Sequence, residues 1–250
     1  MLRLTRPAIS GGISMPFTDK AIIVTGAAGN VGSAVIRLLA GRGARVAAVD
    51  AVKEPLDALV AALPNASHHL ALSGYDLMDP AACAAIAERV GRERGRIDGV
   101  VNTVGGFAMG SLAESGPELW DHMFGLNLKT VLNLYRAVVP KMRGARSGSL
   151  VAIGAAAALR APDGLAAYAS SKSAVLRLTE SLADELKRDG VRVNAVLPGT
   201  IDTPQNRAAM PDADPSLWVQ PTEVAEAILF LLSDAASGVT GALLPVGGRS

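Results

Sequence analysis

Tyr168 and Lys172 close the run IGAAAALRAPDGLAAYASSK, Ile153 to Lys172, which is otherwise dominated by alanine and other small residues. On a helix, an i, i+4 spacing puts both side chains on one face. An ammonium beside a phenol stabilises the phenolate and draws its pKa from about 10 toward the range of a general acid or base. Such a pair can pass a proton while another group passes a hydride. The same spacing is common on ordinary surface helices, so its meaning depends on the elements around it.

A second cluster supplies that context. TGAAGNVG, residues 25–32, places Gly26, Gly29 and Gly32 at GxxGxxG spacing between a β-like run and a helical pattern. Glycines there allow a tight turn and close backbone approach, and the free N–H groups of the helix start can cradle a pyrophosphate. Asp50 ends the next β-like run, 18 residues beyond Gly32. A carboxylate at that point bonds the ribose hydroxyls of an adenosine and repels a 2′-phosphate, which favours NAD over NADP. Asp76 is placed to accept from an adenine amino group or simply to form a turn. Asn102, just before Gly105 and Gly106, can tie neighbouring strands together while the glycines let a cofactor pass.

The elements that must position these residues follow an alternating rhythm. Residues 21–25, 44–50, 68–74, 97–103, 148–154, 191–197 and 241–246 are β-branched or apolar strand candidates. Helical patterns lie between them, the longest from Pro117 to Arg143 and from Ala166 to Gly190. This predicts an α/β fold of three layers, a doubly wound Rossmann-type sheet of seven mostly parallel strands. Asp79 before Pro80 is a helix N-cap, and Gly190 after Lys187 and Arg188 is a helix stop. Residues 202–221 form a long irregular segment of the kind used as a lid. In it, Trp218 and Met210 either line a pocket or pin the loop to the core.

Composition excludes several classes of function. The 24 Lys+Arg nearly cancel 23 Asp+Glu, so no strong field draws the chain to nucleic acid or an anionic membrane. No apolar run reaches the ~18 residues of a membrane span. The three histidines lack ligands at metal spacing, so no metal site is expected. The single cysteine, Cys83, reads as buried filler in a reducing compartment. A small-molecule partner and a cytoplasmic location follow. Residues 1–16 lack an apolar signal core and read as a flexible arm ahead of a single NAD-binding domain over 17–250.

Taken in order, TGAAGNVG, Asp50, VNTVGG, Asn127 within GLNLKT, YASSK and PGTIDT (198–203) resemble the short-chain dehydrogenase/reductase superfamily from about Lys20 to Gly248. The resemblance implies that Tyr168 is the general acid/base, and that Lys172 lowers its pKa and holds the nicotinamide ribose. It implies that Asn127 holds a water linking the lysine to solvent. It implies a cofactor site in which Gly26, Ala28, Gly29, Asn30, Val31 and Gly32 hold the pyrophosphate. Asp50, Asp76 and Leu77 then flank the adenosine, Asn102, Val104 and Gly105 lie beneath it, and Pro198, Gly199, Ile201 and Thr203 meet the carboxamide end. A homo-oligomer, dimer or tetramer, built on the small-residue faces of 118–143 and 166–189 is also implied.

One position departs from the family pattern. The serine usually found thirteen residues before the tyrosine is Ala155 here, followed by Ala156, Ala157 and Ala158. Losing one preorganised donor to a developing oxyanion costs on the order of 10²–10³ in rate. The GxxGxxG spacing, the alanine and the lid sequence DTPQNRAAMPDAD, Asp202 to Asp214, are similar to dihydropteridine reductase, whose quinonoid ring needs no serine to polarise a ketone. The expected function is therefore NAD(H)-dependent hydride transfer to or from a small carbonyl, alcohol or pterin-like substrate. The alternative is an NAD-binding scaffold or sensor whose catalysis has decayed.

Overall fold

The seven β-like runs form seven strands of one sheet. The computed structural model describes residues 17–249, and the arm expected over 1–16 lies outside the described residues. The strands are β1 (Ala21–Thr25), β2 (Arg45–Asp50), β3 (Leu70–Ser73), β4 (Gly99–Asn102), β5 (Gly148–Ile153), β6 (Val191–Pro198) and β7 (Leu243–Val246). They lie in the order β3-β2-β1-β4-β5-β6-β7, and every neighbouring pair is parallel. The order reverses between β1 and β4, which opens a crevice beyond the carboxyl ends of those strands.

Both sheet faces are apolar because both are covered by helices. The helices are α1 (Asn30–Gly41), α2 (Lys53–Ala61), α3 (Pro80–Arg94), α4 (Pro117–Phe124), α5 (Thr130–Ala145), α6 (Ala166–Leu186), α7 (Pro204–Ala209) and α8 (Pro221–Leu232). Ile23, Val100 and Leu150 point to one face, where Ile86 of α3, Leu134 of α5 and Val175 of α6 cover them. Val24, Val101 and Val151, one residue further along each strand, point to the other, under Val35 of α1, Leu56 of α2 and Ile228 of α8. The period of two along each strand thus feeds two cores.

The punctuation forms with its expected partners. The Asp79 carboxylate accepts from Ala81 N at 2.8 Å, with Pro80 opening α3. Gly190 adopts φ 72° after the short 3-10 turn that follows α6. The stretch from Pro117 differs from a plain helix: a π-helical turn, Gly125–Lys129, separates α4 from α5. Such turns concentrate at functional sites, and this one carries Asn127. The expected lid contains α7 and a 3-10 turn at Pro215–Leu217.

Candidate active site

The site is built at the carboxyl edge of β1, β4, β5 and β6. Lys172, on the first turns of α6, is only 5% exposed, and its Nζ donates to the carbonyl of Ile153 at the end of β5, 2.9 Å away. Burial pulls its ammonium down to about 8. Tyr168, one turn earlier, is half-buried, and burial pushes its phenol above the ordinary value. The lowering expected from a neighbouring ammonium is thus absent in the chain without a cofactor, because removing water penalises phenolate as it penalises ammonium. At neutral pH the pair stands as a neutral phenol and a charged lysine.

Asn127 is held from both sides. Its Oδ1 accepts from Gly106 N at 2.9 Å, and its Nδ2 donates to Gly106 O at 3.1 Å and to Ser171 Oγ at 2.9 Å. Ser171 Oγ donates in turn to the carbonyl of Tyr168 at 2.7 Å. The π turn, the strand-end loop and the helix bearing Tyr168 are therefore one hydrogen-bonded frame. Ser171 is not among the residues the sequence singles out, although its position at i+3 from Tyr168 places it on the same helix face. Gly105 completes the frame by close approach: a Cβ there would sit 2.8 Å from Asn127 Oδ1 and 3.0 Å from Lys172 Nζ.

The glycine loop follows the same logic. Gly26 has φ 65°, in the left-handed region, and a Cβ at Gly32 would lie 2.1 Å from Gly26 O. No side chain caps the start of α1 at Gly29. Asp50 accepts from Ala28 N at 2.9 Å and from Val52 N at 3.2 Å, which pins the loop to the end of β2. Gly26, Ala28, Gly29, Asp50, Asp76, Leu77, Val104 and Gly105 line a cleft of about 710 Å³. Asp76 also accepts from Met78 N at 2.8 Å, so its turn-forming role is real beside its place in the cleft. Asn102 Oδ1 accepts from Val104 N at 2.9 Å.

Asn30, Val31 and Gly32 at the start of α1, Pro198 at the end of β6, Gly199, Ile201 and Thr203 between β6 and α7, and Asn102, Tyr168 and Lys172 lie outside that cleft's lining. The lid links the start of α1 to the end of β6. Gln205 of α7 accepts from Asn30 Nδ2 at 3.1 Å, and Thr203 caps α7 by accepting from Asn206 N at 3.1 Å. Arg207 makes two bonds, at 2.6 and 2.8 Å, to Asp202, which Gln220 joins at 3.0 Å. That guanidinium, with Gln220 adding to it, holds the Asp202 carboxyl at about 2. Trp218 is buried and anchors the lid, whereas Met210 is exposed.

Ala155 is buried with extended backbone at the end of β5 and brings no hydroxyl to the site. Ser173 Oγ donates instead to Ala158 O at 2.9 Å and fixes the alanine turn onto α6. The remaining titratable candidates are structural. His69 accepts from Val46 N at 3.2 Å and contacts Pro64 O at 2.9 Å, and burial lowers its pKa. Burial raises the Cys83 thiol to about 11, which makes it inert. Among the described residues, no group of three or more His, Cys, Asp or Glu could hold a metal ion, and no helix is long and apolar enough to cross a membrane.

A doubly wound parallel sheet with a glycine loop at its switch point and a Tyr–Lys pair at the same edge defines a Rossmann-type oxidoreductase. Residues 20–214 match the family model described as short chain dehydrogenase, and the chain belongs to that family. It is 35% identical over 242 residues to the 3-oxoacyl-[acyl-carrier-protein] reductase FabG of Thermotoga maritima, covering 94% of this chain and 98% of the relative. It is 35% identical over 239 residues to the 2,3-dihydro-2,3-dihydroxybenzoate dehydrogenase of Bacillus subtilis, with 88% and 92% covered. A short-chain type dehydrogenase/reductase from Mycobacterium ulcerans superposes with a TM-score of 0.89 at 30% identity, over 94% of this chain and 90% of that one.

Proposed function

We propose that the chain is an NAD(H)-dependent oxidoreductase that transfers a hydride between nicotinamide and a small carbonyl or alcohol, with Tyr168 passing the proton. The observation that carries this reading is Lys172: a lysine this buried, held by one backbone carbonyl and lowered to about 8, is costly to keep unless it serves the tyrosine one turn away. When bound, the nicotinamide supplies or accepts the hydride. Tyr168 donates or takes the proton at the substrate oxygen, and Lys172 moderates the charge that forms on the phenol. Asn127 and Ser171 hold the helix turn that bears the tyrosine.

The residues present fit a dinucleotide. Gly26 and Gly32 allow the tight loop, since a Cβ at Gly26 would meet Thr103 Oγ1 at 2.7 Å and one at Gly32 would meet Gly26 O at 2.1 Å, and Asp50 lines the cleft beside that loop, where it could accept from ribose hydroxyls. Asp50 supports NAD, because a 2′-phosphate would meet its charge at close range. No Lys or Arg lines that cleft, and Lys53 is paired with Asp57. One observation favours NADP as a second reading: Arg37 lines a hollow of about 310 Å³ that shares Ala28 and Pro55 with the cleft. The ratio of kcat/KM for NADH and NADPH decides between them.

A pterin-like substrate is a finer form of the reading, supported by Ala155 and by DTPQNRAAMPDAD, since a quinonoid ring takes hydride and proton without a serine. The reductase and dehydrogenase relatives support carbonyl–alcohol chemistry. Assembly through α4, α5 and α6 and a cytoplasmic location complete the proposal. The test is cofactor turnover with a panel of ketones, alcohols and quinonoid pterin. Wild type turns over at least one member, and Tyr168→Phe loses about 10²–10⁴ in kcat. A wild type that binds NADH and turns over nothing is a scaffold or sensor, and the enzyme reading fails.

A further inference from the structure

Four large apolar side chains stand exposed on two loops of the site: Phe107 62%, Met109 64%, Leu112 79% and Leu159 61%. Soluble chains rarely gather such residues in one place without an occupant. The loops, 103–116 after β4 and 154–165 after β5, are clasped by Gly110 N donating to Gly164 O at 2.9 Å. Met109 reaches over that clasp, its Cε 3.6 Å from where a Cβ of Gly164 would be. The Phe107 ring meets the Tyr168 ring edge to face, centroids 5.0 Å apart at 70°. The apolar surface is therefore continuous with the proton-passing phenol. The loops' charges are sparse: Glu114, bonded to Ser111 Oγ at 2.6 Å, and Arg160 and Asp163, which are opposite in sign.

The Asn127 amide, the Ser171 hydroxyl and the Lys172 ammonium each bond a protein group around Tyr168, and Ala155 offers no donor. The large exposed side chains of the two loops are apolar, so apolar contact is what they offer a substrate. We infer that Phe107, on the same clasped pair of loops as Met109 and Leu159, is the specificity-determining residue, and that the substrate is a nonionic carbonyl or alcohol borne on an apolar ring or chain that packs on Phe107. This rests on the oxidoreductase reading and narrows it.

The test is steady-state kinetics with cyclohexanone and dihydroxyacetone, a matched apolar and polar ketone, on wild type, Phe107→Ala and Phe107→Leu. Wild type prefers cyclohexanone. Phe107→Ala lowers the ratio of kcat/KM for cyclohexanone to that for dihydroxyacetone about 10-fold, chiefly through the KM for cyclohexanone, and Phe107→Leu restores most of that preference. A merely structural role for Phe107 would move both ketones together. Turnover with an unchanged preference in Phe107→Ala overturns this inference alone. Absence of turnover by wild type with these ketones, their alcohols and the whole panel overturns the oxidoreductase reading and this inference with it.

Discussion

Replacing Lys172 by methionine should abolish efficient turnover and make the protein more stable. The ammonium ordinarily titrates near 10.5 and is lowered by burial to about 8. That difference corresponds to about 3 kcal/mol by which burial penalises the charged form. Below pH 8 both the folded and unfolded chains carry the proton, and the folded chain bears the full cost. Between about 8 and 10.5 the folded chain has released a proton that the unfolded chain still holds, so wild-type stability climbs with pH. Methionine has nearly the same length and no charge to desolvate. It forfeits the bond to Ile153 O, which costs about 1 kcal/mol.

The net gain at pH 7 is therefore about 2 kcal/mol, or roughly 4–8 °C in Tm for a chain of this size. The signature is the pH dependence. Urea denaturation of the cofactor-free proteins should show the advantage of Lys172→Met shrinking from pH 8 upward and disappearing or reversing near 10.5. Groups remote from residue 172 cancel in the difference. An advantage that is constant across this range, or a methionine variant less stable than wild type at pH 7, refutes the reasoning. Either result would mean that the lysine is not held charged in a desolvated site.

Two further substitutions probe the same site. Ala155→Ser, at a position whose extended backbone any residue adopts, should raise kcat for ketone reduction by about 10²–10³ at a stability cost near 1 kcal/mol, and unchanged rates would mean that another donor already polarises the substrate. Gly105→Ala forces a methyl against Asn127 Oδ1 and Lys172 Nζ, so it should cost about 1–3 kcal/mol by denaturation and at least about 10-fold in kcat, and wild-type values for both would show that the frame yields freely.

Much of this architecture is legible in the chain because local chemistry determines it. The seven strands announce themselves as β-branched runs between helical patterns, and the Gly26 and Gly32 positions demand glycine for reasons that a turn and a close approach make plain. Other features depend on partners far along the chain. The bond from Asn127 to Ser171 spans 44 residues, and nothing in GLNLKT reveals the π turn that aims the amide. Trp218 and Met210 look alike as lid hydrophobics, yet only the packed fold separates the buried anchor from the exposed side chain. The direction of the Tyr168 shift is equally hidden, since it turns on how much water the closed structure removes, and spacing says nothing of that.

The division of labour around Tyr168 gives Ala155 its meaning. In the proposed mechanism, proton handling falls to buried groups with named partners: Lys172 on Ile153 O, Asn127 on Gly106 and Ser171, and Ser171 on the tyrosine's own carbonyl. On the proposed reading, the face toward the substrate carries an alanine turn, Phe107, Met109 and Leu159. A serine at 155 would place a polar atom on that second face, where a hydroxyl grips an oxygen but must be desolvated as an apolar substrate enters. With alanine there, orientation is left to ring and chain contacts, and the reacting oxygen meets Tyr168 as its principal donor. Such a site sacrifices rate on simple ketones and favours substrates whose acceptor is already activated or whose apolar body holds it in line. The missing hydroxyl and the exposed apolar loops are therefore two sides of one choice of substrate.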